Sequence, residues 1–422
     1  MIQTLAVVGT GYVGLPLALL AEQKGYNVIG VDTDSDKITL LNRKVLPFLD
    51  DGLGEKLRVS NVGFTTDFRM VSNADIVTIC VPTPLDENRK PDLRFVKSAA
   101  EQVSANLKSG ALVCLESTVY PGVSEEIVLP ALRKNRNTFF LAYCPERIDP
   151  GNAVYYVGNI SRVVGALNPE SLDKAVKFYS SIINAKIIQI SSLMAAEASK
   201  VIENAQRDTL IAWANEIAMS IVRWGLDASE VLDAAGTKPF GFVKVNPGRG
   251  VGGHCIAVDP EYLIKRALER NGFEHHLLMA ARKINNGMPE YTAELVQDGL
   301  NQINLPVKNT EIAVLGLAYK PEVSDVRESP VLEIIKILKR KGGRIRTFDP
   351  HVPKMSNKET LEDAINGASA VLVGTAHKQL VEQVTPKLLT SHKVKVFVDG
   401  ENKFDKKGIK AEGIVYLGVG RR

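Results

Sequence analysis

Short, continuously apolar runs alternate along this chain with longer amphipathic stretches. Residues 5–8 (LAVV), 28–31 (VIGV), 76–80 (IVTIC), 111–115 (ALVCL) and 139–142 (FFLA) are apolar throughout, not at every second position. Parallel strands covered on both faces carry this pattern. The helix-like stretches between them give the βαβ rhythm of a doubly wound sheet. Residues 163–165 and 186–190 (KIIQI) add candidate strands. After position 190 the pattern changes. Ser191 and Ser192 can cap a helix, and residues 193–224 contain neither Gly nor Pro. A helix of that length predicts a connecting spine between domains. Further helices are expected at 227–235, 259–271 and 275–300, the last with a break at Gly287-Met288-Pro289. Strand–helix alternation then returns, with strands at 311–315, 344–348, 370–373 and 394–398 and a helix at 330–341. The fold class read from this is α/β. A Rossmann-type doubly wound domain spans 1–190, an all-helical centre with a long spine helix spans 191–300, and a Rossmann-like domain spans 301–422.

Composition narrows the function classes. Of 422 residues, 45% are hydrophobic and 24% charged, which excludes disordered, collagen-like and coiled-coil chains. Lys plus Arg number 52 against 48 Asp plus Glu, a net charge of +4. So small an excess argues against a nucleic-acid or membrane-surface protein. No run of about 18 apolar residues occurs, so no membrane span is expected. The first residues, MIQTL, lack a basic segment and a small-residue cleavage site. The expected location is therefore the cytoplasm. Cys80, Cys114, Cys144 and Cys255 form no C-x-x-C pair and suit neither a zinc site nor a disulfide scaffold. Reduced thiols and no metal are expected.

The first strand leads into Gly9-Thr10-Gly11-Tyr12-Val13-Gly14, and a Leu/Ala-rich helix follows. That context gives the G-x-G-x-x-G pattern its meaning. Gly9 permits the tight turn, Gly11 lets a pyrophosphate approach the backbone, and Gly14 lets helix pack on strand. The helix N-terminus offers unsatisfied N–H groups to the phosphates. Asp32 follows the second strand, about 20 residues after the glycines. A carboxylate there accepts ribose hydroxyls and repels a 2′-phosphate, which favours NAD over NADP. Thr83 and Thr118 lie just past other strand ends and are either cofactor-edge residues or ordinary loop caps.

The second motif is Gly248-Arg249-Gly250-Val251-Gly252-Gly253-His254-Cys255. Four glycines in six residues let backbone come close to a ligand, and they end at a thiol. Cys255 is either an inert buried cysteine or a nucleophile, and the glycine loop favours the nucleophile. Adjacent residues do not easily meet in hydrogen-bond geometry, so His254 is read as structural. On the spine helix, Lys200 and Asn204 are four residues apart and share a face, with Arg207 nearby. A buried Lys is costly unless partnered or functional.

Taken together, these pieces resemble the nucleotide-sugar 6-dehydrogenases, the UDP-glucose/GDP-mannose dehydrogenase family. The resemblance covers nearly the whole chain. It rests on GTGYVG at 9–14, PTP at 82–84, EST at 116–118, Cys144-Pro145-Glu146-Arg147, Lys200 with Asn204, GGHCIAVDP at 252–260, and Gly316-Leu317-Ala318-Tyr319-Lys320 with Asp325-Val326-Arg327-Glu328-Ser329. It implies a homodimer that oxidises C6 of a UDP-sugar to the uronic acid with NAD. Cys255 would carry a thiohemiacetal and then a thioester. Lys200 would stabilise the oxyanion and Asn204 would position it or a water. Glu146 or Asp259 would manage protons, and Thr118 would hold the hydrolytic water. NAD contacts would come from Gly9, Gly11, Tyr12, Val13, Gly14, Asp32, Thr83, Thr118 and Arg327. Substrate contacts would come from Glu146, Arg147, Ile148, Lys200, Asn204, Arg207, Gly253, Tyr319 and Lys320.

The runs PERIDPGN at 145–152 and TKPFGF at 237–242 look like UDP-N-acetylglucosamine 6-dehydrogenases, while HCIAVDP also looks like UDP-N-acetylmannosamine dehydrogenases. A UDP-N-acetylhexosamine is therefore the expected substrate, UDP-GlcNAc ahead of UDP-ManNAc and UDP-glucose. Two positions depart from the family. Arg249 stands where P-G-P-G has its second proline, and Glu401 stands where D-x-R-N has arginine. The rivals are a β-hydroxyacid dehydrogenase, which needs neither residues 301–422 nor Cys255, and a non-catalytic NAD-dependent sensor.

Overall fold

The computed structural model describes residues 2–48, 52–149, 152 and 154–422. Pro150 and Gly151 of the PERIDPGN run lie outside the described residues. The chain divides into two compact units, Met1–Glu203 with Glu261–Glu274, and Asn204–Pro260 with His275–Arg422. The helical middle therefore divides between the two.

The first unit is built on Thr4–Val8 (β1), Asn27–Val31 (β2), Gly63–Thr65 (β3), Ile76–Ile79 (β4), Ala111–Leu115 (β5), Phe139–Tyr143 (β6), Arg162–Ala166 (β7) and Ile187–Gln189 (β8). They form one sheet in the order β3-β2-β1-β4-β5-β6-β7-β8. Two apolar clusters cover its faces. One contains Leu5, Val7, Leu15 and Phe178, the other Ala6, Val8, Val103 and Leu132. The alternation Leu5/Val7 against Ala6/Val8 is the period-two signature of a strand buried on both sides. Strand β3 was not anticipated, because three residues leave no readable period. β7 runs antiparallel to β6. A parallel return needs a crossover, usually helical, and none is formed between Tyr143 and Arg162 among the described residues.

The spine helix is Leu193–Ile221, close to the expected span, and its first turn is capped by Ser192 Oγ, which accepts from Ala195 N at 3.1 Å. The expected break at Gly287-Met288-Pro289 is absent. One helix runs His276–Gln302 with Pro289 inside it. Proline removes the N–H that the Asn285 carbonyl would accept. The helix persists because Met288 and Val296 are buried in the apolar core of the second unit.

That unit carries Glu311–Leu315 (β9), Arg344–Phe348 (β10), Ala370–Val373 (β11), Val396–Asp399 (β12) and Val415–Gly418 (β13). The sheet is parallel in the order β10-β9-β11-β12-β13. The predicted strand at 394–398 is shifted by about two residues, and β13 was missed. Within each sheet, β1–β6 of the first and β9–β13 of the second put the C-terminal ends of their strands on one edge, where ligands bind in open α/β folds, while β7 and β8 run the other way.

Candidate active site

In the first unit, Gly9 has φ +92°, and a Cβ there would stand 2.6 Å from the Cys80 carbonyl oxygen. Gly14 packs so closely on the turn that a Cβ would meet the Gly9 carbonyl at 1.9 Å. At Gly11 a Cβ would meet nothing within 4 Å. The first and third glycines are thus consumed by the fold, and the second opens on free space where a pyrophosphate fits. The helix Gly14–Gln23 starts there and presents its free N–H groups.

Asp32, 8% exposed, accepts from Thr10 N at 2.8 Å, Thr10 Oγ1 at 3.1 Å, Asp34 N at 3.1 Å and Lys37 Nζ at 2.9 Å. Burial opposes its charge, but the bonds from Lys37, Thr10 and Asp34 outweigh it and hold the carboxyl below its ordinary value. Three of those donors sit on Oδ2, so Oδ1 keeps acceptor capacity for a ribose hydroxyl. Tyr12 stacks on Phe48 with centroids 4.1 Å apart. The glycines, Asp32 and the helix start fit a dinucleotide. Lys37 was not foreseen.

Thr83 and Thr118 are both part-buried at strand ends. The Thr83 carbonyl accepts from Tyr262 Oη at 2.5 Å. The turn after Thr118 is held by Glu197, a buried spine-helix carboxylate that accepts from Gly122 N at 2.5 Å and Ser124 N at 2.7 Å. Burial pushes that carboxyl up to about 7.

Glu146 and Arg147 are held by protein partners. Glu146 is buried, ion-paired with Arg162, and accepts from Arg147 N at 2.6 Å and Ile148 N at 2.9 Å. Arg162 is fully buried and also reaches Glu116 at 3.3 Å. Tyr179 donates to Glu116 at 2.8 Å. Burial and the Glu146 charge push the Glu116 carboxyl up to about 7. This buried cluster was not read from sequence. Arg147 is ion-paired with Glu203 and donates to the Ser161 carbonyl at 3.0 Å.

On the spine helix, Lys200 is 8% exposed and, among the described residues, makes no ion pair. Arg207 is exposed. Asn204 Nδ2 donates to Asp259 Oδ2 at 2.5 Å, so two sequence-predicted residues meet.

The Cys255 loop belongs to the second unit and is clamped at its start. Gly248 N donates to Asn215 Oδ1 at 2.9 Å, Asn215 to Asn285 at 3.0 Å, Asn285 to Asp208 at 2.7 Å, and Arg282 to Asp208 at 2.7 Å. The two departures from the family then meet each other. Arg249, 3% exposed, is ion-paired with Glu401 and donates to Thr375 Oγ1 at 2.7 Å and the Tyr319 carbonyl at 3.1 Å. Arg249 is therefore neither an exposed loop residue nor open to a phosphate. The glycines that follow were expected to let backbone approach a ligand. In the structure it is the protein that occupies the space: a Cβ on Gly252 would stand 2.7 Å from the Glu328 carbonyl, and one on Gly253 2.6 Å from the Tyr319 ring.

Cys255 is part-exposed, whereas Cys80, Cys114 and Cys144 are buried. Its carbonyl accepts Val258 N at 3.0 Å and Asp259 N at 2.8 Å, which opens the helix Asp259–Asn271. Arg327 pairs with Asp325 at 2.5 Å and reaches His254 Nδ1 at 3.1 Å. Lys320 Nζ lies over the Tyr319 ring, 5.9 Å from its centroid. Glu322, His351 and His377 cluster together. His377 Nδ1 accepts Glu322 N at 3.0 Å, which leaves Nε2 to donate to Asp349 at 3.2 Å. The ring is used up by the fold.

Comparison with known proteins decides the family. The NAD binding domain, central domain and UDP binding domain of the UDP-glucose/GDP-mannose dehydrogenase family match residues 3–183, 194–287 and 313–406. The chain belongs to this family. It is an NAD-dependent UDP-sugar dehydrogenase. The UDP-N-acetyl-D-mannosamine dehydrogenase of Pyrococcus horikoshii is 34% identical over 99% of both chains. The UDP-N-acetyl-D-glucosamine 6-dehydrogenase of Pseudomonas aeruginosa is 36% identical over 88% of this chain and 86% of its own. The solved structure of the Pyrococcus horikoshii enzyme superposes with a TM-score of 0.91, at 31% identity over 99% of both chains. No described helix is long and apolar enough to cross a membrane.

Proposed function

We propose that this enzyme oxidises C6 of a UDP-N-acetylhexosamine to the uronic acid in two steps through Cys255, with UDP-GlcNAc as substrate. The observation that carries the covalent route is the loop at 248–255. Its start is clamped by a buried polar network, and it ends at the one part-exposed cysteine. Bound NAD+ supplies a hydride acceptor for each oxidation. The Cys255 sulfur adds to the aldehyde as a thiohemiacetal and retains it, so that the second oxidation yields a thioester and water releases the acid. Lys200 is buried and makes no ion pair among the described residues, which suits a cation reserved for a developing oxyanion. Asn204 orients Asp259, which handles the proton of the hydrolytic water with Thr118. Glu146, ion-paired with Arg162, holds the backbone of Arg147 and Ile148.

The same reading gives 1–190 to NAD, 191–300 to pairing of two chains and 301–422 to the UDP-sugar. UDP-ManNAc is the second reading, favoured by the full-length match to a mannosamine enzyme. The test is NADH release with UDP-GlcNAc, UDP-ManNAc, UDP-GalNAc and UDP-Glc. We expect two NADH per N-acetylated sugar, and no completed oxidation from Cys255→Ala. Fastest turnover of UDP-Glc overturns the substrate class. Full activity of Cys255→Ala overturns the thioester.

A further inference from the structure

The turn that carries Thr118 is fastened at both ends, and the fastenings come from different places. Upstream, the N–H groups of Glu116 and Ser117 donate to the Ile79 carbonyl at 2.9 and 3.2 Å. Ser117 Oγ donates to the Val81 carbonyl at 2.7 Å, which ties the turn to the loop after β4. Downstream, the acceptor comes from far along the chain. Glu197 Oε2 takes Gly122 N at 2.5 Å, and its Oε1 takes Ser124 N at 2.7 Å. Gly122 has φ +108°, and a Cβ there would stand 2.7 Å from Arg266 Nη2. Arg266 Nε donates to the Pro121 carbonyl at 3.0 Å, so the turn is closed on that side as well.

Glu197 stands on the spine helix Leu193–Ile221, with no part of it exposed. Lys200 is three positions further on and therefore on the same face. A cap supplied from within the turn would fix the turn alone. A carboxylate that reaches across from the spine helix also fixes the turn against the helix that carries Lys200.

We propose that Glu197 is a positioning residue, which sets the spacing between the Thr118 hydroxyl and the Lys200 ammonium for hydrolysis of the thioester. The proposal rests on the reading above, in which Thr118 holds the water and Lys200 faces the oxyanion. In that step the water oxygen bonds to the thioester carbon and the C–S bond breaks. One water proton passes by way of the Asp259 carboxylate to the leaving sulfur, and nothing is oxidised or reduced. Glu197 exchanges no proton in this step. It keeps the Thr118 hydroxyl where the water is, and a shift of about 1 Å in such a group costs up to about a hundredfold in rate. The competing reading is that Glu197 only closes a turn of the fold. A residue of that kind changes stability and scales every step alike, through the fraction of folded enzyme.

Glu197→Gln keeps the size of the side chain but turns an amide NH2 toward one of the two backbone N–H groups. The test uses the full chain with NAD+ and the UDP-sugar it turns over fastest. In a single turnover NADH should form at about the wild-type rate, because the helix still presents Lys200. Steady-state kcat should fall about tenfold, and kcat/KM far less, since hydrolysis follows both NADH-forming steps. Mass spectrometry of acid-quenched enzyme should show a UDP-sugar acyl adduct on the Cys255 peptide. Thr118→Val should behave in the same way, and Glu197→Gln/Thr118→Val should be no slower than the slower single variant, because both act through one hydroxyl. Glu197→Asp keeps the charge, shortens the reach by one methylene and should give a smaller loss of the same kind; it decides the matter if Glu197→Gln fails to fold. Equal losses in NADH formation and steady turnover overturn the proposal, as do losses that multiply in the double variant. Neither result touches the thioester itself. That reading falls, and the proposal with it, if Cys255→Ala still releases two NADH per sugar.

Discussion

The two sheets repeat one device and use it differently. In the first unit Gly9 ends β1, donates to Val31 O at 2.7 Å and sits against the carbonyl of Cys80 beyond β4. In the second, Gly316 ends β9, donates to Phe348 O at 2.8 Å and sits against the carbonyl of Thr375 beyond β11. Each neighbouring strand then delivers an aspartate, Asp32 or Asp349, to the glycine turn. Asp32 keeps an open acceptor and faces a turn whose Gly11 opens on free space. Asp349 is saturated: Oδ2 takes Leu317 N at 2.5 Å, Ala318 N at 3.0 Å and His377 at 3.2 Å, and Oδ1 takes His351 N at 2.8 Å and Val352 N at 3.1 Å. The same strand–turn–acid arrangement thus leaves an acceptor open in one unit and is consumed by the fold in the other. Spare hydrogen-bond capacity, more than position, separates the two roles.

That contrast can be broken experimentally. Asp349→Ala leaves four backbone N–H groups buried without an acceptor and should destabilise the second unit by about 3–5 kcal/mol in urea titration. An unchanged midpoint would mean that Asp349 is not structural. Arg249→Met strands the Glu401 charge and should cost about 3 kcal/mol, most of it recovered in Arg249→Met/Glu401→Leu, because a buried pair replaced by apolar groups is often near neutral. Failure of the double variant to recover would assign Arg249 to more than the pair.

Asp32→Ala leaves two backbone N–H groups and the Lys37 ammonium without their acceptor, so it should lower stability by about 1–3 kcal/mol, less than Asp349→Ala, and weaken NAD+ by about 1–3 kcal/mol, roughly 10- to 100-fold in Kd by calorimetry. UDP binding should be unaffected. A matching loss of UDP affinity would show that the change is global.

The smallest expected effect is on pH dependence, where the units should differ in sign. Glu116 is raised from 4.5 to about 7, so the folded first unit binds more protons than the unfolded chain between those values. Its stability contribution falls as pH rises through that window. Asp349 is lowered from 3.8 to about 2, because bonds from His377 and the backbone outweigh burial. Its contribution is full above about pH 4 and is lost as pH falls toward 2. Glu116→Gln should flatten the near-neutral slope of thermal melting by a few degrees and leave the acid limb intact. A slope unchanged by Glu116→Gln would place the titrating proton elsewhere, with Glu197 the next candidate.

Most strands, the spine helix and the Gly9–Gly14 turn were legible because each is written in local periodicity or in residues within one turn of each other. Strand β3 was not, being three residues long and without a distinct period, and β13 was passed over. The reversed β7 depended on the missing helix before it. The continuous helix through Pro289 was misread because the penalty for proline is local and the core that offsets it is not. At the site, Lys37 lay in plain view five residues from Asp32, and D-x-D-x-x-K was a usable signal. Nothing local could have shown that Arg162 lies between two carboxylates.

The order of secondary elements, the glycine turn and the candidate thiol follow from the sequence by itself, since backbone geometry and burial periodicity act over a few residues. The partners of charged side chains were decided only by the tertiary structure. Arg249 and Glu401 are 152 positions apart, and each alone looked like an isolated departure. Ion pairs and spare acceptors are set by distances across space, and a linear pattern carries no record of them.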